Sequence, residues 1–274
     1  MRHLDLTLPS PAENLACDEA LLDWCESGEG AECLRFWESP EPFVVVGYAN
    51  KVETEVNVIA CEARKIPILR RCSGGGTVVQ GSGCLNYSLI LPITKDGPLH
   101  SIAVANQFIM RRNRAAIESV GRVVPRAPLN GWGEATDEPA RGDTRPAIGG
   151  QRTARPINAI AIRGHTDLAI GEKKFSGNSQ RRRKHFLLFH GTFLLNFDLA
   201  LIGDLLKMPS KEPDYRESRK HADFLTNINV SAEQVKAALQ KAWDAKSLLT
   251  NPPLKIIRSL AREKYLTNEW NFKF

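Results

Sequence analysis

The sequence of 274 residues predicts an α+β fold whose sheet is mixed or largely antiparallel. Strand and helix patterns follow one another without the regular strand–helix–strand rhythm of a doubly wound sheet. A Gly-Ser-Gly turn at 81–83 separates the strand-like segments TVVQ and CLNYSLILPI, which is typical of a hairpin. With 42% hydrophobic and 25% charged residues, the composition is that of an ordinary globular protein.

The spacing of apolar residues along the chain predicts where the individual helices and strands lie. Amphipathic spacing predicts helices over 14–28, 55–67, 100–121, 199–208 and 231–248, the last beginning with a Ser231–Gln234 capping box. Strand patterns predict two short strands over 32–48 around the turn SPEP, two strands over 157–180 with turns at Gly164 and Gly171, and a strand pair over 187–198. The segment 66–71 leads into a run of three glycines.

The stretch 125–156 differs in character from the rest of the chain. It is rich in Pro, Gly, Arg and acidic residues and contains few residues of core size. Because it cannot bury much apolar surface, we expect a long surface excursion. Folding on binding and an insertion without function are both open. We expect one domain over 1–250, followed by a C-terminal extension over 251–274.

The net charge of +6 and the isoelectric point near 9.0 fit either a solvated basic surface or a surface for an acidic partner. No helix-turn-helix, zinc-ligand or RNA-binding pattern accompanies the charge, so nucleic acid ranks below an acidic protein or a phosphate ligand. The longest apolar stretches, such as FVVVG at 43–47, have the length of a strand, so we expect no membrane span. Six cysteines without CxxC spacing or an export signal favour free thiols and a cytoplasmic enzyme.

The segment RRCSGGG at 70–76 is the first candidate site. Three glycines allow the backbone to approach a ligand closely and to turn its N–H groups towards an anion. Arg70 and Arg71 add donors suited to carboxylate or phosphate oxygens. The spacing matches neither the GxGxxG dinucleotide motif nor a phosphate loop. Taken alone, a glycine-rich connection without a ligand is equally consistent with the segment.

The segment 171–192 is the second candidate site. Lys174 lies within a segment of alternating apolar residues, and a lysine held partly inside a fold usually has an anionic partner. For Lys173 a solvated surface position is favoured. The run RRRK at 181–184 is typical of a solvated face and could also contact an acidic partner. His190 could serve as a general base, but a hydrogen-bonded structural histidine is favoured.

Together these segments resemble the lipoate–protein ligase family. RRCSGGGTVVQGSGCLNYS resembles its Arg-Arg-x-Ser-Gly-Gly-Gly signature. GHTDLAIGEKKFSGNSQ followed by LFHGTFLLN resembles a second signature, in which a lysine precedes an apolar residue and Ser-Gly. NLACDEALL and LRFWESPEPFVVVGYANKVETEVN resemble the opening segments of the family. The resemblance covers nearly all of residues 10–230 apart from the excursion.

The resemblance implies a class II synthetase/biotin ligase-like catalytic domain, with a mixed, mostly antiparallel sheet flanked by helices. It implies an ATP-dependent enzyme that forms lipoyl-adenylate from ATP and lipoate with Mg2+. The lipoyl group would then pass to a lysine of a lipoyl carrier domain, of the 2-oxoacid dehydrogenase E2 or glycine cleavage H-protein type. No resident metal site, nucleic acid or membrane is implied.

Within this family resemblance, Lys174 is the implied catalytic residue, binding the carbonyl oxygen and a phosphate oxygen on which charge develops. Asp167 would orient this lysine or the incoming amine. The implied adenylate- and acyl-binding residues are Arg70, Arg71, Ser73, Gly74, Gly75, Gly76, Thr77, Val78, Val79, Asn86 and Asp167.

Related acyl transferases carry octanoyl from acyl carrier protein through a cysteine thioester. No cysteine follows Cys84 here, which favours adenylate chemistry. Transfer from acyl carrier protein or from preformed adenylate stays open, as does a non-catalytic relative that binds the carrier. Biotin ligation is disfavoured because the Gly-Arg-Gly-Arg loop is absent. Many ligases continue into an accessory domain after a segment like EWNFKF at 269–274. Activation by a separate accessory chain, competence of this chain alone and use of preformed lipoyl-adenylate all stay open.

Overall fold

The computed structural model describes residues 1–121, 123–126 and 159–274, so the excursion predicted over 125–156 lies almost entirely outside the described residues. The strands are β1 (Arg2–Asp5), β2 (Cys33–Trp37), β3 (Phe43–Val46), β4 (Ile68–Arg70), β5 (Val78–Gln80), β6 (Cys84–Pro92), β7 (Ile160–Arg163), β8 (Asp167–Ile170), β9 (Lys173–Arg182), β10 (Phe186–Leu194) and β11 (Ser247–Leu248). The helices are α1 (Pro11–Glu26), α2 (Val52–Glu55), α3 (Val58–Ala63), α4 (Ile102–Glu118), α5 (Leu199–Leu205), α6 (His221–Phe224), α7 (Ala232–Ala242), α8 (Leu254–Leu260) and α9 (Asn268–Asn271).

Two sheets organise the described part of the chain. The main sheet has eight strands in the order β11-β1-β2-β6-β10-β9-β8-β7, and the small sheet has the order β4-β3-β5. In the main sheet, β1 pairs in parallel with β2 and β11, whereas the other described pairs are antiparallel. The predicted α+β fold with a mixed, mostly antiparallel sheet is confirmed.

Apolar side chains divide into three cores around these sheets. One face of the main sheet packs against α4 and α7. The other face packs against α1, the small sheet and the C-terminal helical segment that contains α8. The far side of the small sheet is covered by α2, α3 and α5. The two sheets therefore face each other with space for a cavity between β5, β6, β9 and β10.

Helices α1 and α7 each begin with a capping box, in which side chains satisfy free backbone N–H groups. Helix α1 starts at Pro11, earlier than predicted, because Ser10 and Glu13 form a capping box. Helix α7 begins with the predicted capping box of Ser231 and Gln234. It ends at Ala242 rather than at 248, and β11 follows it.

The predicted hairpin around 81–83 is wrong. Strand β5 pairs with β3 in the small sheet, whereas β6 pairs with β2 and β10 in the main sheet. Gly83 has a φ of +87°, and a Cβ atom there would overlap the carbonyl of Asn196. The turn therefore leads the chain from one sheet to the other, and only glycine fits at its end.

In three other regions the number of helices or strands differs from the predicted number. The helix predicted over 55–67 forms as α2 and α3, with Asn57 capping the second. The region 157–180 contains three strands rather than two, although its turns lie where predicted. The pair predicted over 187–198 is the single strand β10, because residues 186–194 pair continuously with β6.

Candidate active site

The two predicted segments line one cavity of about 340 Å3 between the sheets. Gly75 and Gly76 of the glycine loop lie on one side, and Lys174 of β9 lies on the other. The predicted site residues in its wall are Arg71, Gly75, Gly76, Thr77, Val78, Val79, Asn86, Asp167 and Lys174. Arg70, Ser73 and Gly74 do not line it.

Arg71 shapes the glycine loop. Its Nε and Nη2 donate to the Gly74 carbonyl at 3.0 and 2.6 Å, and Nη2 also donates to the Gly76 carbonyl at 2.7 Å. Burial lowers the pKa of this guanidinium to about 10, so it remains charged at neutral pH. The loop carbonyls are thereby drawn to Arg71. Gly75 has a φ of +86°, which a side chain would strain.

The neighbouring glycines leave open space. An ideal Cβ atom at Gly74 or Gly76 would have no protein atom within 4 Å. Packing against the protein therefore does not require glycine at these two positions. A bare backbone beside a cavity allows a ligand to approach the peptide groups closely.

Arg70 points away from the cavity and is fully buried. Its guanidinium donates to five carbonyl oxygens, which belong to Gly47, Tyr48, Asn50, Trp270 and Asn271. The structure thus does not bring this arginine together with Lys174, and its guanidinium lies outside the cavity wall. Adjacent side chains at a strand end point in opposite directions, which separates Arg70 from Arg71.

Lys174 forms the charged centre of the opposite wall. Its Nζ lies 2.8 Å from Asp167 Oδ1, and the lysine side chain is 24% exposed. Tyr215 Oη donates to Asp167 Oδ2 at 2.8 Å. Burial and the Asp167 charge raise the pKa of Tyr215, so the phenol stays protonated and remains a donor. A Cβ at Gly177 would lie 2.8 Å from Lys174 Nζ and Cε, so glycine makes room for the ammonium.

His190 links the glycine loop to α1. Its Nε2 lies 2.5 Å from Ser73 Oγ, and its Nδ1 lies 3.2 Å from Asp18 Oδ2. Burial opposes ionisation of Asp18, but the Arg35 guanidinium 2.6 Å away and His190 together hold its pKa below the ordinary value. His190 is thus hydrogen-bonded on both ring nitrogens. Ser73 is 1% exposed and fixes the base of the loop.

A chain of buried polar groups runs from α7 to the cavity. Trp243 donates to Asn113 at 2.8 Å, Asn113 donates to Tyr87 at 2.7 Å, and Tyr87 donates to Asn178 Oδ1 at 2.6 Å. The Asn178 amide occupies the space that a Cβ atom at Gly191, its partner across the strands, would need. This chain fixes the floor of the cavity beside Lys174.

The inner part of the cavity combines apolar and amide side chains. Val45, Val78 and Val79 from the small sheet provide apolar surface. Across the cavity Thr192 donates to Asn86 Oδ1 at 2.6 Å, and Gln80 donates to Thr192 at 3.1 Å. An acyl chain would contact apolar side chains here, next to a small group of neutral polar atoms.

Glu55 is a wall residue that the sequence analysis missed. It is 4% exposed and accepts hydrogen bonds from Thr77 Oγ1 at 2.5 Å, Asn50 at 2.8 Å and Ser210 at 2.7 Å. Burial opposes ionisation, but these hydrogen bonds hold the pKa of Glu55 below its ordinary value. Glu55 and Tyr215 connect the cavity wall to residues 207–216, and no local pattern marks either residue.

The six cysteines are buried thiols of low reactivity. All six lie within residues 17–84, all are buried and none lines the cavity. Burial raises the pKa of Cys72 and of Cys84, which flank the glycine loop, to about 12. Within the described residues, no group of three or more His, Cys, Asp or Glu side chains could hold a metal ion. None of the described helices combines the length and apolar character needed to cross a membrane.

Known proteins resemble this chain over most of its length. Residues 10–244 match the family model described as "Lipoyl protein ligase A/B catalytic domain". The octanoyltransferases LipM of Geobacillus kaustophilus and Halalkalibacterium halodurans are 29% and 26% identical, each over 99% of this chain and 98% of the relative.

Solved structures of similar fold are lipoate–protein ligases. Lipoate-protein ligase A bound with ATP has a TM-score of 0.69 and 26% identity, covering 99% of this chain and 98% of its own. A bipartite lipoate protein ligase from Thermoplasma acidophilum, studied with its E2 lipoyl domain, has a TM-score of 0.70 and 23% identity. The match covers 99% of this chain and 95% of that ligase chain. The second likeness shows a shared fold.

Proposed function

The chain belongs to the lipoyl protein ligase A/B catalytic domain family, and on that basis we propose that it transfers a lipoyl or octanoyl group to a lysine of a lipoyl carrier domain. We further propose that the acyl group is activated with ATP as an acyl-adenylate. The observation that carries the proposal is a cavity in which Lys174 faces a glycine loop without any cysteine in its wall. A covalent thioester on the enzyme would need such a cysteine.

The residues present fit an acyl-adenylate. Such a molecule joins an apolar chain to a negatively charged phosphate, and the cavity joins apolar valines to Lys174 and to bare backbone at Gly76. Lys174 would bind the carbonyl oxygen and a phosphate oxygen, where negative charge grows as the amine attacks. ATP supplies the activation when bound.

Magnesium fits only as an ion brought by the nucleotide. All three carboxylates in the cavity wall are engaged by protein donors: Glu55 by Thr77 and Asn50, Asp167 by Lys174, and Asp18 by Arg35. Phosphate oxygens would therefore supply most of the ligands, as is common for this ion. Its role would be to neutralise pyrophosphate as that group departs.

In the second half-reaction the amine of the carrier lysine attacks the acyl carbon. A carbon–nitrogen bond forms, the bond from the acyl carbon to the leaving phosphate oxygen breaks, and the amine loses a proton. Asp167 is the carboxylate beside Lys174 and would accept this proton or orient the amine. The hydroxyl of Tyr215 would keep Asp167 in place.

The second candidate function is octanoyl transfer from acyl carrier protein. The names of the curated relatives favour it, because LipM octanoyltransferases align with nearly the whole chain. The same cavity would then hold the octanoyl thioester directly, since no cysteine lies in the cavity wall to take the acyl group. A relative that only binds a carrier would need neither Lys174 nor space beside Gly76.

One experiment separates the three functions. The protein is incubated with an apo lipoyl domain and either ATP, Mg2+ and lipoate or octanoyl acyl carrier protein, and the lipoyl domain is weighed by mass spectrometry. A lipoyl mass shift that requires ATP supports adenylate formation. A shift only with octanoyl carrier protein replaces it by direct transfer. Binding of the domain without any shift contradicts both enzymatic functions.

The expected acceptor is a carrier domain with an acidic surface, because the net charge of this chain is +6. Carriers of the 2-oxoacid dehydrogenase E2 and glycine cleavage H-protein types are the candidates, and a bipartite ligase of the same fold was studied with its E2 lipoyl domain. Titration of the complex at rising salt concentration should weaken it. A salt-independent affinity would contradict an electrostatic interface.

A further inference from the structure

The first arginine of the loop signature is a structural hub rather than a ligand contact. Arg70 is fully buried and outside the cavity wall, yet its guanidinium donates to carbonyl oxygens of two separate chain segments. One segment is 47–50, which precedes α2, and the other is 270–271 in α9. Only an arginine fork offers enough donors to serve five acceptors at once.

The C-terminal side of this hub is reciprocal. Trp270 Nε1 donates to the Arg70 carbonyl at 2.8 Å, and the Arg70 N–H donates to Asn271 Oδ1 at 2.9 Å. Asn271 is 4% exposed, and its amide also donates to the Tyr265 carbonyl at 2.9 Å. Both backbone polar groups of Arg70 are therefore bound by side chains of α9.

The other side of the hub reaches the cavity. Arg70 Nη1 donates to the carbonyls of Gly47 and Asn50 at 2.9 and 2.7 Å. A Cβ atom at Gly47 would overlap the Gly75 carbonyl, so these two backbones are in direct contact. Asn50 Nδ2 donates to the same Gly75 carbonyl at 3.2 Å, and Tyr48 N–H donates to the Ser73 carbonyl at 2.8 Å.

We propose that Trp270 and Asn271 are positioning residues for the glycine loop. They hold Arg70, Arg70 holds residues 47–50, and those residues hold Gly75 in the cavity wall. The contacts are continuous: they begin at the buried Arg70 and Asn271, pass through partly buried groups and end at the exposed hydrogen bond between Asn50 and the Gly75 carbonyl. This inference rests on the proposed function in one respect, which is that the activated acyl group lies against the loop.

Two single substitutions test the links separately. Trp270→Phe keeps an aromatic ring beside Tyr48 and Tyr265 but removes the donor to the Arg70 carbonyl. Asn271→Ala removes the acceptor for the Arg70 N–H. Phe272→Ala is the matched control, because this neighbouring aromatic side chain is 45% exposed and contributes no link to Arg70.

The first measurement is amide hydrogen exchange of the full chain without substrate. Trp270→Phe and Asn271→Ala should each speed exchange of two amides by about fivefold, the factor for a lost hydrogen bond of about 1 kcal/mol: that of Tyr48, which donates to the Ser73 carbonyl, and that of Thr77, which donates to Glu55. Phe272→Ala should leave both amides unchanged. Faster exchange confined to residues 266–274, with Tyr48 and Thr77 as in the wild type, would overturn the proposal.

The second measurement is steady-state transfer with whichever acyl donor the protein uses. A displaced loop should raise KM for that donor by about fivefold with a smaller change in kcat. Equal loss of kcat with KM unchanged would contradict a positioning role. If no donor supports transfer, the proposed function fails. The exchange result still decides whether Trp270 and Asn271 hold the glycine loop in place.

Discussion

The two walls of the cavity use positively charged side chains in opposite ways. In the glycine-loop wall, Arg71 donates to protein carbonyls, as does Arg70 behind the wall, so the role of both is to define the shape of the backbone. In the β9 wall, Lys174 has one carboxylate partner and is 24% exposed, so its charge remains available to a ligand. One wall provides shape and the other provides charge.

This difference is visible in how each wall treats glycine. Gly74 and Gly76 leave open space beside the loop, whereas Gly177 leaves space that the Lys174 ammonium itself fills. A side chain at Gly177 would displace the charge, and a side chain at Gly76 would occupy the open space beside the loop. Both walls thus depend on glycine, but one uses it to leave open space and the other to make room for the Lys174 ammonium.

Removal of the charge should have the largest effect. We expect Lys174→Ala to lower kcat for acyl transfer about 100-fold or more, because a positioned charge stabilises the transition state. Thermal unfolding should change little, since the side chain is partly exposed and contributes little packing. Lys173→Ala is the matched control, because the neighbouring lysine is exposed. Equal loss of activity in both variants would contradict a specific role for Lys174.

Displacing the charge without removing it should have a smaller effect. In Gly177→Ala the new methyl group would lie 2.8 Å from Lys174 Nζ and Cε, so the ammonium must shift. We expect transfer to fall about tenfold, since misplacement of a reacting group is costly. Gly203→Ala in α5 is the control, because its Cβ meets open space and should leave transfer unchanged. Normal transfer by Gly177→Ala would show that the ammonium position is not critical.

The glycine-loop wall should show its own dependence on pH. The folded pKa of Glu55 lies below its ordinary value of 4.5, so the ionised carboxylate stabilises the fold above that pH. This contribution is lost as the pH falls through the folded pKa. Denaturant unfolding should therefore show the wild type losing more stability below pH 4.5 than Glu55→Gln does. Parallel pH profiles would contradict the role of this carboxylate.

The smallest effect is expected at the cysteines that flank the loop. Cys72→Ala and Cys84→Ala should each keep transfer within about twofold of the wild type, since buried thiols with a pKa of about 12 are poor nucleophiles. Iodoacetamide should leave the native protein unlabelled at neutral pH. Loss of transfer in either variant, with the fold intact, would support a thioester intermediate instead.

Local signals in the sequence predicted a large part of this structure. Short-range patterns mark the capping box of Ser231, the helix that ends near Gly121 and the residues on both walls. The structure contains both the capping box and the helix. Adjacency in the sequence groups Arg70 with Arg71, whereas strand geometry turns neighbouring side chains in opposite directions.

Features that depend on distant contacts could not be read from the sequence. The Gly-Ser-Gly segment has the chemistry of a hairpin turn, but strand partners are chosen by packing, and β5 and β6 join different sheets. Glu55 and Tyr215 reach the cavity through partners far away in the chain. Each looks like an ordinary surface residue in its local segment.

The floor of the cavity carries a consequence for how the protein can evolve. Asn178 fills the place of a side chain at Gly191 while accepting a hydrogen bond from Tyr87. A Cβ atom at Gly191 would overlap Asn178 Oδ1 and lie 2.8 Å from the Gly177 carbonyl oxygen, so a change at Gly191 requires a change at Asn178 and the two form an epistatic pair. In a mutational scan, Gly191→Ala should be harmful in the wild-type background and less harmful once Asn178→Gly has removed the side-chain overlap. Lineages would then have to substitute Asn178 before Gly191.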